Sequence, residues 1–323
     1  MTMKVSVLGC GRWGSFHAWY ADHIDHEATL WGRPGSARLA RLMTERRNEY
    51  LTLPESVTLT DDPAAALRHA DVIVISVSSQ GLRALAEEIA ALPRGLWAAK
   101  PFVLCMKGLE LESGKRLSVV LREALGEDTR VAAWVGPGHV QDFLAGIPNC
   151  MVMASEDTAL SARLAEIFAS PLIRFYYGRD LLGAEIGAAA KNVVGLAAGM
   201  LDGLGLVSLK GALMARGAAE ISRLVGAMGG DAMTVYGLSH LGDYEATLFS
   251  PHSNNRRYGE NLVRGISSDK LAEGVFAAQA LLRLGARHGV ELPISAAVAA
   301  VITRGLDPRE ALTGLFLRAM KSE

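Results

Sequence analysis

The chain has 323 residues, half of them apolar and 21% charged. At roughly 150 residues per domain this predicts two domains with ample core material, and excludes both a short peptide module and a disordered chain. Thirty-three Lys and Arg against 34 Asp and Glu leave a formal charge of -1, which argues against a main task of neutralising a nucleic-acid backbone.

Cys10, Cys105 and Cys150 are far apart and lack CxxC spacing, so they read as reduced core thiols, with neither a disulfide framework nor a metal site indicated. The first residues have a short apolar run without a cleavage pattern, and no charge-free apolar stretch nears the ~18 residues that span a bilayer. The expectation is a cytoplasmic protein without membrane insertion.

Residues 5–8 form a β-prone run that enters Gly9-Cys10-Gly11-Arg12-Trp13-Gly14, and an amphipathic stretch over 15–23 follows. This is GxGxxG between strand and helix. Gly9 and Gly11 let the backbone turn and approach a pyrophosphate, while Gly14 permits close packing of helix on strand. The pattern predicts dinucleotide binding.

A second strand over 27–31 ends in Gly32-Arg33, where a dinucleotide fold places an acid for the ribose 2′-hydroxyl. Arginine stands there instead. Arg33, with Arg38 nearby, either accommodates a 2′-phosphate, which favours NADP slightly over NAD, or is a solvated surface arginine.

Strands over 72–76, 102–106 and 131–135 alternate with helices over 81–92 and 116–125. Such alternation predicts a mostly parallel, doubly wound sheet with ligands at the carboxyl ends of its strands. The polar residues there include Lys107-Gly108-Leu109-Glu110 and Gly136-Pro137-Gly138-His139. Lys107 is placed either to hold a phosphate or substrate oxygen, or as a solvated loop lysine.

Residues 151–153 and 174–177 read as the last strands, and a boundary near Gly178 separates a domain over 1–177 from a helical one over 178–323. The fold class is therefore α/β: an amino-terminal Rossmann-type doubly wound sheet followed by an all-helical carboxyl-terminal domain. Residues 181–204 suit a long buried helix rich in small side chains. Between Glu185 and Asp202, Lys191 is its only charge. A buried ammonium must be paired, snorkelled or functional, and burial beside a second cation brings its pKa toward the range of a general acid. Gly187, Lys191 and Gly195 share one stripe, leaving room for a ligand or another helix.

A polar island follows, 237–247 with Asp243, leading to Ser250-Pro-His-Ser253-Asn254-Asn255-Arg256-Arg257-Tyr-Gly259. It reads either as a site for a phosphorylated, hydroxylated small molecule or as a capped loop joining two helices.

In order, the tryptophan-containing glycine loop, Lys107-Gly108-Leu109-Glu110, Gly136-Pro137, the helix from Glu185 through Gly187 to Lys191-Asn192, the 237–243 loop and the 253–259 turn resemble the NAD(P)-dependent glycerol-3-phosphate dehydrogenase family. The similarity runs along essentially the whole chain, including tail segments at 306–312 and 318–323. It implies a catalytic Lys191 assisted by Lys107 and Asp243. It also implies cofactor contacts at Gly9, Gly11, Arg12, Trp13, Gly14, Arg33, Lys107, Val140 and Glu273. Substrate contacts are implied at Lys107, Gly136, Lys191, Asp243, Ser253, Asn254, Asn255 and Arg256.

Four positions depart from the family pattern: Arg12 and Gly138 replace serines, Ser208 an asparagine, and Asn254 an arginine used near substrate phosphate. Arg256 or Arg257 is the expected substitute for that cation. The resemblance implies reversible reduction of dihydroxyacetone phosphate to sn-glycerol 3-phosphate by a homodimer. Two alternatives are a dehydrogenase of another small hydroxy or keto compound and a dinucleotide-binding sensor with weak catalysis.

Overall fold

The computed structural model describes residues 2–267 and 272–317; the 318–323 segment of the tail lies outside them. The chain packs as two compact units, one made of the chain up to Met106 with Leu117–Leu181, the other of Lys107–Arg116 with the chain from Leu182 onward.

The first unit is an eight-stranded sheet with helices on both faces. Its strands are β1 (Lys4–Leu8), β2 (Glu27–Trp31), β3 (Thr58–Thr60), β4 (Val72–Ile75), β5 (Phe102–Leu104), β6 (Val131–Val135), β7 (Asn149–Ala154) and β8 (Ile173–Gly178). Between them run α1 (Arg12–His23), α2 (Ala37–Glu45), α3 (Pro63–His69), α4 (Leu82–Ala90), α5 (Leu117–Leu125), α6 (Val140–Leu144) and α7 (Thr158–Phe168). The strand order is β3-β2-β1-β4-β5-β6-β7-β8. All neighbours are parallel except β6 with β7.

The sequence dictates this burial on two faces. All four side chains of β4 are buried; Val72 and Val74 join one hydrophobic cluster while Ile73 and Ile75 join another. A strand's period of two thus feeds both helix layers, which is why its sequence is an unbroken β-branched run. The order reverses between β1 and β4, so the end of β1 opens on the switch point where such sheets bind nucleotides.

The second unit surrounds one helix, α8 (Leu181–Gly203), with α9 (Lys210–Ala227), α10 (Asn254–Val263), α11 (Glu273–Arg287), α12 (Pro293–Arg304) and α13 (Pro308–Thr313). Among the described residues α8 is the one helix long and apolar enough to cross a membrane, and 94% of that stretch is buried inside the protein. Its small residues explain the burial. A Cβ at Gly199 would lie 1.8 Å from the Arg256 oxygen and one at Gly259 2.1 Å from the Leu196 oxygen, so α8 and α10 touch backbone to backbone.

The Lys107–Arg116 segment is anchored in this helical unit. Leu109 is fully buried in its core. The Asn192 side chain donates to the Lys107 carbonyl at 2.7 Å, Arg116 pairs with Glu185 at 2.8 Å, and Arg283 donates to the Glu112 carbonyl at 2.9 Å.

Candidate active site

In the first unit the glycine loop runs straight from β1 into α1, which begins at Arg12, three residues before the expected start. Gly9 has φ +120°, and a Cβ there would lie 2.3 Å from the Ser76 oxygen; at Gly14 it would lie 1.7 Å from the Gly9 oxygen. Both positions exclude a side chain. At Gly11, the N-cap of α1, a Cβ would meet nothing within 4 Å, and no side chain caps the helix. Open backbone at an uncapped helix start is what a dinucleotide pyrophosphate requires, so the loop fits NAD or NADP.

Of the other expected cofactor residues, Arg12 bonds Gln141 and lies 5.2 Å over the Tyr50 ring. Trp13 packs edge-on against Phe16. Arg33 is exposed beside Ser78 and Gly81, at the ends of β2 and β4. Val140 is fully buried at the start of α6. Gly136 and Gly138 both have positive φ, +135° and +133°. A Cβ at Gly138 would lie 2.6 Å from the Phe143 ring, which accounts for glycine where the family pattern has serine.

In the second unit Lys107, Lys191 and Asp243 converge. Asp243 is 1% exposed, and its Oδ2 lies 2.8 Å from the Lys107 Nζ and 2.5 Å from the Lys191 Nζ. Lys191 Nζ also donates to the Thr247 hydroxyl at 2.8 Å. Burial pushes the Lys191 amine down to about 7, with Asp243 opposing the fall and Lys107 adding to it. One carboxylate thus serves two ammonium groups, and the inner one is poised to give or take a proton near neutrality.

Sequence reasoning did not assign Thr247 a role, although it stands four residues after Asp243. It lies in a π-helical turn, Glu245–Phe249. Such a turn cannot be anticipated from side-chain periodicity, and turns of this kind frequently mark functional sites. Asn192 was part of a motif but had no role; its bond to the Lys107 carbonyl holds the second lysine in place. The room at Gly187 and Gly195 is filled by the chain itself: a Cβ at 187 would press on His240, and one at 195 on Thr247 and Asn255.

Ser253 caps α10, accepting from the Arg256 amide at 3.2 Å. Asn255 Oδ1 accepts from the Gly274 amide at 2.9 Å, which ties it to the start of α11 beside Glu273. Asn254 accepts from Arg257 at 2.9 Å. Arg256 was expected at the far end of the substrate; the structure binds its Nε to Asp202 at 2.6 Å and its Nη2 near Glu260 at 3.4 Å. Asp202 also pairs with Lys210 at 2.7 Å. Both candidates for the missing cation therefore have partners of their own.

A family profile described as NAD-dependent glycerol-3-phosphate dehydrogenase N-terminus matches residues 4–161, and the corresponding C-terminus profile matches residues 180–313. The chain belongs to the NAD-dependent glycerol-3-phosphate dehydrogenase family. A curated relative from Thermus thermophilus, a glycerol-3-phosphate dehydrogenase (NAD(P)+), is 40% identical over 332 residues, covering 99% of this chain and all of the relative. One of the same name from a Chelativorans species is 39% identical over 327 residues, covering 99% and 98%. The crystal structure of the glycerol-3-phosphate dehydrogenase of Coxiella burnetii superposes with a TM-score of 0.91 at 27% identity, covering 98% of this chain and 99% of that one.

Proposed function

We propose that the chain catalyses reversible NAD(P)H-dependent reduction of dihydroxyacetone phosphate to sn-glycerol 3-phosphate, supplying glycerophospholipid synthesis. The observation that carries this reading is the buried Lys191 amine, near neutrality in its pKa and held by Asp243 and Thr247. A bound nicotinamide supplies the hydride. Lys191 donates a proton to the carbonyl oxygen as negative charge develops there, and Asp243 keeps the amine protonated beforehand. Lys107, 17% exposed at its side chain, adds positive charge at the oxygen or the phosphate.

The phosphate end falls to groups with donors left over. Asn255 uses its oxygen on Gly274, which frees its NH₂, and Ser253 accepts from Arg256, which frees its hydroxyl hydrogen. Arg256, engaged by two carboxylates, shapes this segment from behind, and Glu273 is assigned to the cofactor on the resemblance. We assign cofactor binding to the first unit and substrate and catalysis to the second. With no acid after β2 and Arg33 exposed there, NADP is favoured over NAD. The same reading makes the protein a cytoplasmic homodimer, which sedimentation tests.

The deciding experiment follows NADPH absorbance with dihydroxyacetone phosphate and with a panel of unphosphorylated ketones and keto acids. Turnover of the phosphorylated ketone supports the proposal; turnover of the panel alone refutes it. Lys191→Ala should abolish turnover while leaving NADPH binding intact, and retained turnover rejects the assignment of the acid.

A further inference from the structure

Two side chains flanking Asp243 have no part in the chemistry above. His240 and Tyr244 are both fully buried. His240 Nδ1 stands 2.8 Å from the Gly187 carbonyl, and its Nε2 stands 2.6 Å from the Tyr244 hydroxyl. Their partners fix the proton: a carbonyl only accepts, so Nδ1 donates, and the phenol donates to Nε2. Burial holds the phenol protonated by pushing its pKa up. Burial also pushes the imidazole down to about 4, opposed by the Gly187 bond, so the ring is neutral at ordinary pH.

The acceptor is the informative part. In an α-helix the carbonyl of residue i receives the amide of i+4, so the Gly187 oxygen is the one that receives the Lys191 amide within α8. His240 therefore holds the helical turn of the lysine from the same short segment that bears the lysine's counter-ion. Glycine makes the space on both sides: a Cβ at 187 would lie 3.0 Å from the His240 Cβ, and one at 217 would lie 3.1 Å from the Tyr244 hydroxyl.

We infer that His240, braced by Tyr244, is a positioning residue that ties the turn bearing Asp243 to the turn of α8 bearing Lys191, and so fixes the carboxylate against the amine. The inference rests on the reduction reading for its kinetic consequence but not for its geometry. The charged groups that act on the imidazole are Lys191 of α8 and Asp243 of its own segment. Glu220 of α9 and Tyr236 act on Tyr244.

The test compares wild type with His240→Ala, His240→Asn and Tyr244→Phe by two readouts: the ¹³Cε NMR titration of Lys191, assigned with Lys191→Met, and the pH profile of kcat/KM for dihydroxyacetone phosphate with NADPH. Loosening the carboxylate removes the influence that keeps Lys191 charged, so His240→Ala should lower the Lys191 midpoint by about one unit and kcat by about tenfold. The Asn variant, whose amide can donate to Gly187 in place of Nδ1, should restore most of both. Tyr244→Phe should shift the midpoint the same way by less, and it stands in should the alanine variant fail to fold. A purely structural role would scale the amount of active protein and leave the midpoint where it was. An unmoved midpoint in His240→Ala, or in Tyr244→Phe if only that variant folds, overturns the inference. The NMR readout decides this even if dihydroxyacetone phosphate is not turned over, an outcome that would count against the reaction alone.

Discussion

With Lys191 protonated, Lys107, Lys191 and Asp243 together carry one net positive charge, with the carboxylate 1% exposed and the Lys191 side chain 7% exposed. Removing either member of the inner pair has opposite consequences. Lys191→Met leaves Asp243 facing Lys107 at 2.8 Å, a balanced pair. Asp243→Asn takes the counter-ion from both amines, so Lys191 either gives up its proton or stays charged and unpaired, the situation in which breaking a buried pair costs about 3–5 kcal/mol. Both should lose turnover, by on the order of 10² to 10⁴ for the general acid, yet only the second should lose much stability. The linkage has a definite sign. Below about pH 7 Lys191 is charged in both folded and unfolded chains, and the burial penalty is complete. From there to the unfolded value near 10.4 the unfolded chain binds the extra proton, so stability rises with pH. The wild type should be about 2 kcal/mol more stable at pH 9 than at pH 7, and Lys191→Met should lack that gain. Urea unfolding at the two pH values reads both effects. Lys191→Met as unstable as Asp243→Asn, or a pH gain that survives in it, would refute the reasoning.

As the proposed acid, the same amine should set the kinetics: kcat/KM for reduction should fall as pH rises through about 7, and that for oxidation should rise over the same interval; a reduction rate that climbs there excludes Lys191 as the acid. Arg33→Gln should raise the KM for NADPH about tenfold while leaving NADH within about twofold, as measured by initial rates with each cofactor; equal effects on both remove the 2′-phosphate assignment. Gly138→Ser should destabilise the protein by about 1–3 kcal/mol in thermal unfolding, because its Cβ would sit 2.6 Å from the Phe143 ring at a positive φ; an unchanged unfolding temperature would show that Phe143 yields freely.

Much of the fold lies on the surface of the sequence because it is a matter of period and punctuation. β2 and β6 occupy the stretches that their apolar runs indicate, and α8 ends one residue before its expected limit. The short elements β3 and α6 are less visible. β3 is three residues of Thr-Leu-Thr, and α6 is a single five-residue turn, too brief for any period. In the site, Lys191 declares itself as the one charge between Glu185 and Asp202 of an apolar helix, a conflict that only a partner or a function resolves. Thr247, His240 and Tyr244 make no such local conflict. Their roles arise from a π-helical turn and from a carbonyl 53 residues away in sequence, which depend on tertiary packing. One partner of Arg256 belongs to the same class: Asp202 lies 54 residues from it in sequence.

The detour of the chain through Lys107–Arg116 makes the two halves of this polypeptide interdependent. A fragment beginning after β8 would be deprived of Leu109, leaving a hole among the helices, of the arginine that neutralises Glu185, and of the lysine that shares Asp243. Cutting and pasting between relatives at that boundary would likewise import a foreign lysine loop into a resident helical framework. The two units cannot be exchanged as independent cassettes, and substitutions around residues 107–116 must be accommodated by residues that come 69 to 171 positions later.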